Sequence, residues 1–300
     1  MHLLSINDLS AKEINSIFEI SDRISLGRGK GLMLGRKALL CLLFEKASTR
    51  TRVSFEAAMC GIGGDSIYID ASTTHISRGE AISDTARVLG MYVNAVAARM
   101  YLHSDIKELA KYSKVPVINA LTDLEHPCQA LSDLYTIREK KGGIKGLRIA
   151  FAGDIATNTA NSLMLGATKL GADVVLVGPK SWKPNPDYLK KARSQGSVEV
   201  YSDMREGLCG ADIIYADTFV SMGKESEAAE RRRLFKGYQV NRKAVGYAKK
   251  TVSVMHCLPA HRGEEITSDV LDGRQSIAWE QAANKLLVEK AILLYVMGKA

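Results

Sequence analysis

With 300 residues, 46% of them hydrophobic and 25% charged, the chain has the make-up of an ordinary globular protein long enough for two domains. Its net charge of +8 does not mark a nucleic-acid binder, because the excess is spread: 19 Lys and Arg against 16 Asp and Glu in residues 1–145, and 22 against 17 in residues 146–300. The one basic cluster, Arg231-Arg232-Arg233, lies beside Glu225, Glu227 and Glu230 without an aromatic-rich RNA-binding signature and reads as a solvated helix face, although a mild positive charge still attracts small anions.

Ser10-Ala11-Lys12-Glu13 is a capping-box pattern, and Ile14, Ile17, Phe18 and Ile24 follow at helical spacing, so the chain opens on a helix. Strands are then predicted over 37–44, 65–69, 94–99, 115–119, 147–153, 173–178, 198–201, 212–217 and 251–257. Helices are predicted over 51–61, 80–91, 104–113, 128–140, 159–170, 186–195, 204–209 and 279–297. This alternation argues for an α/β protein of two doubly wound domains with parallel sheets. The break falls at Lys140-Lys141-Gly142-Gly143-Ile144-Lys145-Gly146, which cannot supply core, so the domains are set at 1–141 and 142–278.

Cys41, Cys60, Cys128, Cys209 and Cys257 are odd in number and lack C-x-x-C spacing, which points to neither a disulfide framework nor zinc. The opening Met1-His2-Leu3-Leu4-Ser5-Ile6-Asn7-Asp8 has no basic flank with a long apolar core, and no 18-residue apolar stretch occurs. A cytoplasmic protein without membrane or nucleic-acid partners is expected.

Polar chemistry gathers where apolar strands end. After the run 38–44 comes Ser48-Thr49-Arg50-Thr51-Arg52, three hydroxyls and two guanidiniums leading into a helix. Free backbone N–H groups and the helix dipole there favour a phosphate or carboxylate, and arginine grips such a group through two parallel hydrogen bonds. The plainer reading is a helix cap with solvated arginines. Arg99 ends the strand 94–98 at the same kind of edge, or simply exits to solvent. His126-Pro127-Cys128-Gln129 opens a helix: His126 can donate to a carbonyl oxygen, and Gln129 can both donate to and accept from an amide, unless the histidine is structural.

In the second half, the strand ending at Gly153-Asp154 invites a dinucleotide-binding reading, but Ile155-Ala156-Thr157-Asn158 lacks the required glycines. Asp217, at the end of the strand 212–216, is placed for an amino group or starts a turn, and Ser221-Met222-Gly223 follow. His256 and Cys257 are neighbours at a strand end and so point to opposite faces, which speaks against a direct Cys/His pair. No H-E-x-x-H, Walker A or acidic metal cluster occurs, so chemistry on an already activated phosphate fits better than metal- or nucleotide-driven transfer.

Together these stretches resemble the aspartate/ornithine carbamoyltransferase family over essentially the whole chain. Ser48-Thr49-Arg50-Thr51-Arg52 looks like its carbamoyl-phosphate signature, His126-Pro127-Cys128-Gln129 like its H-P-x-Q element and His256-Cys257-Leu258-Pro259 like its H-C-L-P element. Asp217 with Ser221-Met222-Gly223 is similar to the D-x-x-x-S-M-G loop of members that use ornithine, and Asn158 matches an asparagine that holds the amino acid.

The resemblance implies a site in the cleft between the domains, the first binding carbamoyl phosphate and the second L-ornithine, with the helix 279–300 packing back on the first. It implies no cofactor and no metal, and a homotrimer or multiple of trimers in which a loop of one subunit completes its neighbour's site. Ser48, Thr49, Arg50, Thr51, Arg52, His75, Arg99, His126, Gln129, Cys257, Leu258 and Lys285 would hold carbamoyl phosphate. Asn158, Asp217, Ser221 and Met222 would hold ornithine, with Arg50, Arg99, His126, Asp217 and Cys257 catalytic and Cys257 lowering or sensing the pKa of the attacking amine. Two positions depart from the pattern: His75 stands where the family has glutamine, and Lys285 where an arginine normally follows, which keeps the charge but loses the bidentate fork. The alternatives are transfer to another amine, such as putrescine or N-acetylornithine, and a catalytically weak homologue that only binds carbamoyl phosphate.

Overall fold

The structure is a computed structural model that describes residues 1–28, 32–34, 38–220 and 224–299. It divides into two compact units, Met1–Ser132 with Asn284–Ala300, and Asp133–Ala283.

In the first unit, Ser10 and Glu13 close the expected capping box, with Ser10 N–H donating to Glu13 at 2.8 Å, and start α1 (Ala11–Ser25). There follow β1 (Leu39–Phe44), α2 (Thr49–Gly61), β2 (Asp65–Asp70), α3 (Ile82–Tyr92), β3 (Ala95–Arg99), α4 (His103–Tyr112), β4 (Val117–Leu121) and α5 (Pro127–Lys141). The strands form one parallel sheet in the order β2-β1-β3-β4. β1 and β3 are almost wholly buried, which is why they read as unbroken apolar runs rather than alternating ones. β4 starts two residues later than its sequence suggested, because Pro116 has no N–H to enter the ladder and contributes only its carbonyl, to Val96 at 2.9 Å. Leu3 pairs along the outer edge of β4, donating to Val117 at 2.9 Å and accepting from Asn119 at 2.8 Å.

The second unit contains β5 (Arg148–Ala152), α6 (Asn158–Lys169), β6 (Asp173–Val177), α7 (Pro186–Arg193), β7 (Val198–Tyr201), α8 (Met204–Leu208), β8 (Ile213–Ala216), α9 (Ala228–Phe235), α10 (Arg242–Val245), β9 (Ser253–His256) and α11 (Ser268–Leu271). α12 (Ala278–Val296) starts here and passes into the first unit at Asn284. The sheet is parallel, in the order β7-β6-β5-β8-β9. All nine expected strands are present. The short helices α9, α10 and α11 were not expected, since none carries an apolar period long enough to stand out.

Each sheet has one place where the chain, having built outward to one side, returns to build on the other: between β1 and β3, and between β5 and β8. Ligands bind outside the carboxyl ends of the strands at such switch points. Those ends carry Ser48–Arg52 and Arg99 in the first unit, and Asn158 and Asp217 in the second. Among the described residues no helix is long and apolar enough to cross a membrane.

The structure corrects the reading of Arg231-Arg232-Arg233 as a solvated face. Arg231 is buried, donates through Nε to the Phe219 carbonyl at 2.9 Å, pairs with the buried Asp154 and lies over the Trp182 ring. Trp182 in turn donates to Asp154 at 2.7 Å. A buried aspartate needs such partners, and Arg231 alone of the three arginines meets it.

Candidate functional site

In the first unit the Ser48 hydroxyl caps α2, accepting from Thr51 N–H at 3.3 Å, and no acid stands in the helix's first turn to neutralise its dipole. Ser48→Ala is expected to cost about 1 kcal/mol of stability, measurable by thermal unfolding. Thr51 is buried while Thr49 and Arg50 are exposed. Arg52 has partners of its own, Glu56 at 3.0 Å and the ring of Tyr68 at 3.8 Å, whereas Arg50 forms no ion pair among the described residues.

Arg99 sits beside Phe44 in the β1–β3 register, and its carbonyl accepts from Glu45 N–H at 2.8 Å. The register of β3 with β4 shifts at this residue, Ala98 facing Asn119 and Arg99 facing Leu121, so a bulge re-aims the side chain at the strand's end. Arg99 is 5% exposed, its Nε has no hydrogen-bond partner, and it forms no ion pair among the described residues. Burial, and then Arg50 facing it, bring its pKa down to about 10. His126 is buried just before Pro127, the first residue of α5; burial, Lys285 and Arg99 hold its pKa well below the usual imidazole value, so it is a neutral ring with one N–H to donate. Lys285 Nζ donates to Gln129 Oε1 at 2.9 Å. Arg50, Arg99, His126, Gln129 and Lys285 thus form one cationic cluster. His75 stands apart, exposed on a short 3-10 turn, and no hydrogen bond links it to another candidate residue among the described residues.

In the second unit Gly153 makes the turn out of β5 at φ +111°, where a Cβ would come within 2.9 Å of the Phe219 ring. The turn leads to Thr157, the N-cap of α6, and to Asn158, which accepts from Thr159 N–H at 2.8 Å. Asp217 follows β8, and Oδ1 accepts from Thr218 N–H at 2.8 Å and from the Cys257 thiol at 3.1 Å. Burial raises the pKa of Asp217 against the pull of His256 and these two hydrogen bonds. Burial, then Asp217 and Asp133, push Cys257 well above the ordinary thiol value. The pair is therefore a neutral thiol donating to a carboxylate, and Cys257 is not a thiolate at neutral pH.

His256 is buried and turned away from this pair. Its Nδ1 accepts from Leu258 N–H at 2.9 Å, which leaves Nε2 to donate to Glu265 at 3.0 Å. That bond holds Leu258 at φ +58°, a conformation rare outside glycine. Ser221 and Met222 lie outside the described residues.

Sequence reasoning missed the buried partners of these groups: Glu265 behind His256, Tyr215 and Gln281 on Asp133 at 2.7 Å each, and Glu289 behind Lys285. Glu289 had a signal, the one acid in the largely apolar second half of α12, four residues after Lys285. Among the described residues no group of three or more His, Cys, Asp or Glu is arranged to hold a metal ion.

A family model described as the carbamoyl-P binding domain of aspartate/ornithine carbamoyltransferase matches residues 1–139, and one described as its Asp/Orn binding domain matches residues 145–296. The chain belongs to that family. It is 48% identical over 303 residues to the ornithine carbamoyltransferase, anabolic, of Pyrococcus furiosus, covering 99% of this chain and 96% of that one. The solved structure of ornithine carbamoyltransferase from Pyrococcus furiosus superposes with a TM-score of 0.93 at 47% identity, covering 99% of this chain and 97% of that one. The anabolic ornithine carbamoyltransferase of Campylobacter jejuni does so with a TM-score of 0.92 at 35% identity, covering 100% and 99%.

Proposed function

We propose that the protein transfers the carbamoyl group of carbamoyl phosphate to the δ-amine of L-ornithine, giving L-citrulline and phosphate. The observation that carries this reading is Arg99: a buried guanidinium with no ion-pair partner among the described residues, facing Arg50 and a neutral His126, is arranged for an anion that also presents a carbonyl. The relatives' names support ornithine as the acceptor.

Residues 1–141 with the terminal helix bind carbamoyl phosphate, and 142–278 bind ornithine. Ser48, Thr49, Arg50 and Thr51 hold the phosphate with the backbone N–H groups of α2, and Lys285 adds charge. Arg52, engaged by Glu56 and Tyr68, shapes the loop more than it grips the anion. Gln129 and the backbone of Cys257 and Leu258 orient the carbamoyl amide. The neutral δ-amine attacks the carbonyl carbon, a C–N bond forms, and the carbonyl oxygen becomes an oxyanion to which Arg99, His126 and Thr51 donate. The amine's proton passes to Asp217, whose raised pKa suits it to the task better than the protonated Cys257. Collapse then breaks the bond to the phosphate oxygen. Asn158, Ser221 and Met222 fix the amino acid.

The same reading includes a homotrimer or multiple of trimers, with the exposed His75 loop completing a neighbour's site. The five free cysteines support a reducing, cytoplasmic setting. Incubating the protein with carbamoyl phosphate and each of ornithine, putrescine and N-acetylornithine tests the assignment. Citrulline formation with ornithine preferred is expected, and preference for another amine would replace the acceptor.

A further inference from the structure

Lys285 and Glu289 stand one turn apart on α12, both buried, in the part of that helix that belongs to the first unit. Lys285 has two acceptors within reach, Gln129 Oε1 at 2.9 Å and Glu289 Oε1 at 4.0 Å. Neither carboxyl oxygen of Glu289 has a hydrogen-bond partner among the described residues, an unusual state for a fully buried acid. What stabilises its charged form is the ammonium of Lys285, with the Ser54 hydroxyl of α2 beside it.

Building on the function proposed above, we propose that Glu289 is a positioning residue for the anion end of the site: it is the counter-ion that holds the Lys285 ammonium, and its ionisation sets how much of that positive charge is left for the phosphoryl group.

The surroundings make Glu289 the group that titrates near neutrality. Burial raises its pKa from 4.5 to about 7, with Lys285 on its own helix and Ser54 on α2 pulling it back. From α5, burial and the Glu289 charge hold Cys128 far above the ordinary thiol value, and burial, Lys285 and Arg99 hold His126 far below that of imidazole. Arg99 of β3, at about 10 with Arg50 of α2 facing it, keeps its charge. Below neutrality Glu289 is uncharged and the full charge of Lys285 serves the anion; above it the pair neutralises itself and the anion is held less tightly.

Sulfate is a suitable probe because it stays a dianion throughout this range. Its dissociation constant, read as competition against carbamoyl phosphate, is expected to rise about tenfold from about pH 6 to about pH 8.5 in the wild type, as one buried charge acting on a dianion would cause. In Glu289→Gln the rise should be absent and binding should stay tight. The variant is expected to fold: a carboxyl whose pKa folding raises from 4.5 to about 7 costs stability from the pH at which it ionises in the unfolded chain, so Glu289→Gln should melt above the wild type at about pH 8 and level with it only below about pH 4. A wild-type sulfate affinity that does not change with pH, or a Glu289→Gln profile parallel to the wild type, would overturn the assignment. Failure of the wild type to make citrulline would instead sink the reading of the reaction, so the two failures are distinguishable.

Discussion

Replacing Arg99 by methionine is expected to slow citrulline formation by about 10²- to 10³-fold while raising the melting temperature of the protein. The two effects have one cause. Arg99 ends a buried strand, with a bulge opposite it on β4 and no ion pair among the described residues, so nothing in the free protein offsets the removal of its charge from water. Folding lowers its pKa from the ordinary guanidinium value to about 10. A base lowered in this way costs stability at every pH below its folded value, so the whole penalty, roughly 3 kcal/mol at most, is present at neutral pH. Methionine fills similar volume without the charge and should recover part of it. The same uncompensated guanidinium is what an oxyanion needs, and losing one well-aimed donor costs a reaction of this kind about 3–4 kcal/mol of barrier. Steady-state kinetics with both substrates and thermal unfolding check the pair of effects. A variant that is both less stable and nearly as active would show that Arg99 belongs to the core and not to the chemistry.

The fold was legible in the sequence because parallel strands buried on both faces leave unbroken apolar runs, such as Leu39–Phe44 and Ala95–Arg99, with polar loops between. The first polar residues after such runs are also where a doubly wound sheet binds ligands, so Arg99, Asp217 and the Ser48–Arg52 loop stood out as candidates from their positions alone. The alternation rule also separated His256 from Cys257 correctly: one bonds Glu265 and the other Asp217. What could not be read was any partnership between residues distant in the chain. Arg231 looked solvated because its neighbours in sequence are charged, while the partners that bury it, Asp154, Phe219 and Trp182, come from three separate loops. Cys257 looked like an amine-activating group until its surroundings were known; burial and two carboxylates leave it a neutral donor. Charge states depend on packing, and residue order carries little of it.

Replacing Asp217 by asparagine should lower kcat/KM for ornithine by about 10²- to 10⁴-fold near neutral pH and leave the KM for carbamoyl phosphate largely unchanged. Oδ1 of Asp217 is committed to Thr218 and Cys257, whereas no hydrogen bond among the described residues is accepted by Oδ2, which leaves that oxygen for an ammonium group. An ordinary aspartate would stabilise ornithine's δ-ammonium without taking its proton, since a lysine-like amine has a pKa of about 10.4. Burial narrows that gap from the aspartate's side by raising its pKa, and the amine's own desolvation narrows it from the other. Asparagine keeps the size and a hydrogen bond but can accept no proton, so the variant depends on amine that has already lost its proton in solution. That fraction grows tenfold with each pH unit, so the ratio of wild-type to variant kcat/KM should shrink steadily as pH rises from about 7 to about 9.5. Cys257→Ser, which retains a donor to Oδ1, should cost far less than Asp217→Asn. If the wild-type to variant ratio is instead constant over that range, Asp217 only binds the amino acid, and the proton must leave by another route.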